Sequence, residues 1–474
     1  MQPARVHRNE PIAVVGLWHL GCVTAACLAD AGSQVIGIDP DPAVIHELLA
    51  GHPPVSEPGL QWLIERNASR LDFTCDPGAL AGARRAWVTF DTPVDDDDNA
   101  DVEWVLAQAQ ELLAALPEDS LVVVSSQLPV GSIARLQTLC AQQRGDRGLR
   151  FACVPENLRL GRALESFKAR DRIVAGVRSE GDRTELAELL APFSDQVQWM
   201  RVESAEMTKH ALNGFLATSV AFINEIAEIC ESVGADAEEV SRGLKSEQRI
   251  GPRAYLGPGE AFAGGTLARD IGFLRGLAKH RGLPAHVFAG VADGNTAHKH
   301  WTRRKLLELL ADEDDALAGR TVAVWGLTYK PGTDTLRRSS AIELCRWLAT
   351  AGATIRAHDP AVRALPDDLA DNVELCSSPL EAATGAEVLV VCTAWPDYLQ
   401  VPVEDLLSVL ALAQIVDPAG VLRVALAPYP QVRYVRVGTP LEIHARRASA
   451  TSVGATPTGA TVSGAPMPGS EDRE

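Results

Sequence analysis

A chain of 474 residues exceeds what one ordinary hydrophobic core fills, so two or three domains are expected. Hydrophobic residues make up 46% and charged residues 22%, the balance of a globular protein. The formal charge of −18 argues against a nonspecific nucleic-acid partner or an anionic membrane surface, although a pocket can still be locally basic and hold phosphate. No stretch approaches the ~20 apolar residues of a membrane helix, and MQPARVHRNE has no apolar signal region. Nine scattered cysteines without a CxxC pair fit reduced thiols in a cytoplasmic protein, with neither disulfides nor a metal site expected.

In chain order, PIAVV (11–15) reads as a strand, GLWHLG as a tight turn, CVTAACLADAG as a helix and VIGID as a second strand ending at Asp39. Further apolar runs at ARRAWVTF, LVVVSS and LRFACV continue a parallel sheet to about residue 200. From Glu203 the spacing of apolar residues changes to three and four. SAEMTKHALNGFLATSVAFINEIAEICESVG therefore predicts one long, largely buried helix. A polar stretch, ADEDDALAGR, precedes a second α/β region begun by TVAVWGL and continued by TIRAHD, EVLVVC and QIVD. After about residue 445 the Ser, Thr, Gly, Ala and Pro content predicts a disordered tail. The two α/β halves show no repeat at the level of residues.

Gly16, Trp18 and Gly21 fill the three slots of GxGxxG. The outer glycines suit a tight turn and close helix–strand packing, but the indole at the middle slot crowds the path of a pyrophosphate. Asp39, about 20 residues on, can take the ribose hydroxyls and would repel a 2′-phosphate, so NAD is favoured over NADP.

Nine further motifs follow in one order: PPVSEPGL (53–60), DTP (91–93), LPVGS (128–132), PENLRLG (155–161), EMTKHALNGFLA (206–217), FINE (222–225), RIG (249–251), PGEAFAGGTLARD (258–270) and GLTYKPGTDTLRRSS (326–340). In this combination the chain resembles the UDP-glucose/GDP-mannose dehydrogenase family from residue 11 to about 440. The resemblance implies an α/β protein with an N-terminal Rossmann-type NAD-binding domain (1–202). A central long-helix dimerisation and active-site region (203–312) and a C-terminal Rossmann-like UDP-sugar-binding domain (318–444) would follow, then the tail (445–474). It also implies a homodimer, a nucleotide-sugar substrate with UDP favoured, no nucleic-acid or membrane partner, and a place in polysaccharide biosynthesis. Family members oxidise a sugar alcohol to a carboxylate in two steps through a cysteine thiohemiacetal and thioester.

Carried onto this sequence, the resemblance assigns catalytic roles to Glu156, Lys209, Asn213 and Asp270. Lys209 and Asn213 share a helix face, where ammonium and amide can stabilise an oxyanion. Asp270 near a lysine would tune both for proton transfer. The cofactor set is Gly16, Trp18, Gly21, Asp39, Thr92, Gln127 and Arg337. The substrate set is Arg249, Tyr255, Leu256, Gly264 and Lys330, where basic groups suit a diphosphate. Three positions depart from the family. The cysteine falls on Thr266, a poor nucleophile and a poor leaving group. The water-positioning threonine is Gln127, and a family glutamate is Leu160. Full oxidation to the acid is therefore expected to be impaired, the alternatives being arrest at an aldehyde, reversible oxidation for isomerisation, or oxidation of an aldehyde hydrate. Cys153, near the end of a strand, reads as a buried structural thiol. A noncatalytic nucleotide-sugar-binding homologue is the competing reading, favoured by Trp18 and the lost cysteine. A hydroxyacid dehydrogenase of similar topology is opposed by GLTYKPGTDTLR and CTAW (392–395).

Overall fold

The computed structural model describes residues 10–95, 100–145, 148–156, 158, 161–263, 265–310 and 317–440. Gly264, Leu160 and the expected disordered tail lie outside the described residues.

Eight short strands build the N-terminal sheet: β1 (Ile12–Val15), β2 (Val35–Ile38), β3 (Leu71–Thr74), β4 (Arg85–Val88), β5 (Leu121–Val124), β6 (Arg150–Cys153), β7 (Ile173–Gly176) and β8 (Val197–Met200). Their order is β3-β2-β1-β4-β5-β6-β7-β8. The first six are parallel, but β7 pairs with β6 antiparallel at Cys153 and Gly176. The expectation of a wholly parallel sheet is thus corrected at its far edge. Here the loop after Glu156 and a short helix, Ala163–Lys168, return the chain in the opposite direction. The inner strands β1 and β5 are buried at every position, which is why they read as unbroken apolar runs instead of alternating ones.

The second sheet has six strands: β9 (Thr321–Trp325), β10 (Thr354–His358), β11 (Val373–Leu375), β12 (Val388–Val391), β13 (Gln414–Val416) and β14 (Arg433–Val435). Its order, β11-β10-β9-β12-β13-β14, reproduces the order of the first six strands, so the fold repeats where the residues do not.

Five helices position the site: α1 (His19–Asp30), α2 (Ser132–Arg144), α3 (Val202–Val233), α4 (Thr266–His280) and α5 (His286–Lys299). Helix α3 has 32 residues and ends on Gly234, whose φ of +79° suits a left-handed cap. At 1.5 Å per residue it is roughly 48 Å long. Its ends belong to different cores. Val202 and Ala205 pack into the N-terminal core. Ala217 packs with Ile271 and Val291 of α4 and α5. Ala227 and Cys230 pack into the C-terminal core. These α3 residues are small, so the helix lies close against each core, and one helix is packed into all three regions.

Candidate active site

The glycine-rich turn joins β1 to α1. Gly16 has a φ of +94°, and a side chain there would meet Phe90 at 2.6 Å. A Cβ on Gly21 would fall 1.8 Å from the Gly16 carbonyl oxygen, so α1 can approach β1 only with glycine at that position. Trp18 is the residue before the helix. It is 48% exposed and provides no side-chain cap. Asp39 accepts the Leu17 N–H at 2.7 Å and the Asp41 N–H at 3.0 Å. Burial raises its carboxyl above the ordinary range against those two donors.

Glu57, from PPVSEPGL, organises this end of the sheet. Its buried carboxylate accepts from the backbone N–H groups of Gly161 (2.8 Å) and Ala163 (2.7 Å) and pairs with His19 Nε2 at 3.0 Å. It thereby ties the turn carrying Trp18 to the loop carrying Glu156. Thr92 donates to the Gln127 carbonyl at 2.7 Å, which joins the loops after β4 and β5.

The centre of the site is Asp270, fully buried on α4. Three side chains from distant segments meet it. Gln127 Nε2 donates to Oδ1 at 2.7 Å, Asn213 Nδ2 donates to Oδ2 at 2.5 Å, and His210 Nδ1 lies 3.0 Å from Oδ1. Burial alone would raise this carboxyl, yet the His210, Asn213 and Gln127 contacts outweigh it and hold Asp270 below its ordinary value. Gln127 is oriented in turn, because its Oε1 accepts from the Arg269 guanidinium. The residue assigned to the cofactor therefore spends its amide on the carboxylate cluster. His210, Arg269 and Glu57 are absent from the sequence-predicted site. Helical spacing could have found His210, which stands three residues before Asn213 on α3.

Lys209, half-buried on the same helix, loses basicity chiefly through burial, and Asp270 and Glu156 partly restore it. Glu156 forms a mostly buried ion pair with Arg170, which also stacks on Phe167 with 4.1 Å from its guanidinium carbon to the ring centre. Gln127, Glu156, Lys209, His210 and Cys153 line one small cavity. Burial, then Glu206 and Glu203, push the Cys153 thiol well above its ordinary value, so it is a protonated core thiol and no replacement nucleophile. Thr266 is exposed at the first residue of α4, one turn before Asp270. Glu156, Lys209, Asn213 and Asp270 are thus brought together, with Thr266 at the edge.

The C-terminal domain closes over this region from the other side. Arg337 donates to the Val94 carbonyl at 2.8 Å and Arg338 to that of Asp95 at 3.1 Å, so both hold the loop after β4. Arg338 does so from a φ of +63°, a left-handed conformation rare outside glycine. Lys330 is half-buried. Burial lowers its basicity, and the Glu57 charge opposes this. Tyr255 is exposed and Leu256 buried. The Arg249 side chain is 88% exposed and pairs with Glu247 at 2.9 Å, which places it away from the Asp270 cluster of its own chain.

Three family models match the chain in series. The NAD binding domain of the UDP-glucose/GDP-mannose dehydrogenase family covers residues 10–194, its central domain 203–297 and its UDP binding domain 323–424. The chain belongs to the UDP-glucose/GDP-mannose dehydrogenase family. Accordingly it is an NAD-dependent oxidoreductase whose first sheet is the NAD-binding domain. It is 32% identical over 455 residues to the UDP-glucose 6-dehydrogenase of Pseudomonas aeruginosa, covering 93% of this chain and 100% of that protein. The UDP-glucose 6-dehydrogenase AglM of Haloferax volcanii is 31% identical, covering 82% and 92%. Among solved structures, a UDP-glucose dehydrogenase from Pyrobaculum islandicum superposes with a TM-score of 0.78 at 30% identity, covering 88% of this chain and 95% of that one. A UDP-D-ManNAc dehydrogenase from Pyrococcus horikoshii shares the fold, with a TM-score of 0.78 at 24% identity over 90% and 99% of the two chains. Among the described residues no helix is long and apolar enough to cross a membrane.

Proposed function

We propose that this chain oxidises a CH–OH group of a UDP-sugar, in the manner of a UDP-glucose 6-dehydrogenase, and that oxidation stops after the first hydride. The observation that supports the chemistry is the buried Asp270, bonded to Asn213 and placed beside Lys209. NAD, when bound, supplies the hydride acceptor. Asn213 presents an amide to the developing alkoxide, and Lys209 a positive charge once it has taken the hydroxyl proton. All three donors around Asp270 occupy its oxygens, whereas burial makes Lys209 a readier base than an exposed lysine. Lys209 is accordingly the group to take the hydroxyl proton as hydride leaves carbon. Glu156, held by Arg170, is a second carboxylate facing Lys209.

Thr266 supports arrest at the aldehyde. An alcohol at that helix start has no partnered base among its described contacts, and an ester would release it slowly compared with a thioester. Lys330, Arg337 and Arg249 are the basic groups for the diphosphate, with Arg249 directed to a neighbouring subunit. Gly16, Gly21 and Asp39 form the cofactor turn, with Thr92 behind it.

The assembly we infer is a cytoplasmic homodimer. Phe215, Phe222 and Ile229 recur every seven residues along α3 and are 68%, 47% and 52% exposed, an apolar stripe suited to a second copy of the helix.

The deciding experiment measures NADH formed per sugar nucleotide consumed, over a panel of UDP- and GDP-sugars, with products identified by mass. One NADH and an aldehyde is the expected result. Two NADH and an acid would overturn the arrest at Thr266. Tight binding of both ligands without turnover would favour isomerisation or a noncatalytic binder.

A further inference from the structure

We propose that His210 is a positioning residue which, as a doubly protonated imidazolium, holds the Asp270 carboxylate anionic and fixed for the dehydrogenation proposed above. The proposal rests on that reading for its catalytic consequence, but not for the protonation state itself.

The geometry leaves the ring little choice. His210 is 2% exposed. Its Nε2 lies 2.8 Å from the Leu128 carbonyl oxygen, which can only accept, so Nε2 carries a proton. Its Nδ1 lies 3.0 Å from Asp270 Oδ1. A neutral ring would then turn a lone pair towards the carboxylate. The bond requires one more proton between Nδ1 and Oδ1. That proton belongs on nitrogen, because the carboxylate already accepts from two amide donors and is stabilised as the anion.

The two amides support the same assignment. The guanidinium of Arg269 has only N–H donors, so the Gln127 oxygen must face it and the Gln127 nitrogen must face Asp270. Asn213 Nδ2 covers the other oxygen. With amide donors on both oxygens, Asp270 presents itself as an acceptor. The charges around His210 on its own helix are Glu206, one turn earlier, and Lys209. From α4 come Asp270, Arg269 and the edge of the Phe273 ring at 5.4 Å. From the loop after β5 come the Leu128 carbonyl and the Gln127 amide. Glu156 and the protonated Cys153 share the cavity that the ring lines.

The consequence is mechanical as well as electrostatic. His210 fastens the N-terminal loop at Leu128 to the central-domain carboxylate, so the crevice and the reacting centre share one hydrogen-bonded bridge. Glutamine at position 210 cannot reproduce it, because its oxygen would face either the carbonyl or the carboxylate.

The test uses the full-length protein labelled with 15N-histidine. Long-range proton–nitrogen NMR at pH 7.5 reports the two ring nitrogens, and His210→Gln identifies the signal by its disappearance. Two protonated nitrogens, reverting to a neutral ring in Asp270→Asn, are expected. A neutral tautomer in the unsubstituted protein would overturn the proposal. This readout holds even if no UDP-sugar is turned over, so failure of the proposed function and failure of this inference are separable. Kinetically, His210→Phe should lose at least about tenfold in kcat with KM for NAD little changed, and His210→Gln should retain part of the rate. Equal rates in all three proteins would sink the positioning role.

Discussion

The Gln127 amide donates to Asp270 at 2.7 Å across 143 residues of sequence. Through it, a loop of the NAD-binding sheet reaches the carboxylate of the central helix directly. Replacing Gln127 by alanine removes this donor and strands the Arg269 contact. A charge-assisted hydrogen bond is worth about 1.5–3 kcal/mol, so kcat should fall by about ten- to a hundredfold. Steady-state NADH formation checks this, and an unchanged kcat would separate Gln127 from the reaction.

Asp270 also carries a pH signature in stability. Its folded carboxyl lies below the ordinary value, so its stabilisation is complete above about pH 3.9 and is lost as pH falls through the lower folded value. Asp270→Asn removes the carboxylate on which His210, Asn213 and Gln127 converge and should cost roughly 3 kcal/mol at pH 7. Urea unfolding should show that cost shrinking as pH falls below about 4. A cost that grew below about pH 4 would contradict the sign.

Trp18 stands where a glycine would let the pyrophosphate approach the backbone. Its indole is 48% exposed and caps no backbone group, so Trp18→Gly should leave stability within about 1 kcal/mol. NAD affinity should rise about tenfold, on the order of 1.4 kcal/mol of relieved crowding. Calorimetric titration measures it. Weaker binding would mean that the indole is itself a cofactor contact.

Thr266→Cys returns a thiol to the start of α4, where helix N-termini favour thiolates. If Thr266 alone blocks the second step, the yield should move from one NADH per sugar towards two. An unchanged yield would locate the block elsewhere, with Gln127 and the position of Glu156 as the next candidates.

The exposed stripe of α3 predicts association. Phe222→Glu places a charge among apolar neighbours at the inferred interface and should halve the particle mass in light scattering at micromolar concentration. A monomer before substitution would refute the inferred homodimer.

Much of this architecture was legible in residues. The apolar runs located the inner strands because those strands are buried on both faces, and three- and four-residue spacing located α3. The reversal at β7 was not legible, since an edge strand returning antiparallel leaves no pattern different from a parallel one. In the site, Lys209, Asn213 and Asp270 came from motifs. The bonds that unite them depend on side chains meeting from positions 57 and 60 residues apart. His210 lay inside a quoted motif and still went unread, because its role exists only when Leu128 and Asp270 are both in place. Gln127 looked like a cofactor neighbour because its segment follows β5; where its amide points is a property of the fold.

The two sheets share a strand order but treat their second-strand aspartates differently. Asp39 receives two backbone donors. Asp359, after β10, receives six: the N–H groups of Leu327, Thr328, Ala361 and Val362, the Thr328 hydroxyl and the Trp395 indole. Trp395 also donates to Thr328 Oγ1 at 3.2 Å, so the indole is held against the Asp359 cluster by two acceptors. A ribose diol arriving there would find every carboxylate lone pair spoken for. The two sheets thus repeat one strand order around aspartates of opposite availability: Asp39 keeps acceptor capacity beyond its two backbone donors, and Asp359 has none left.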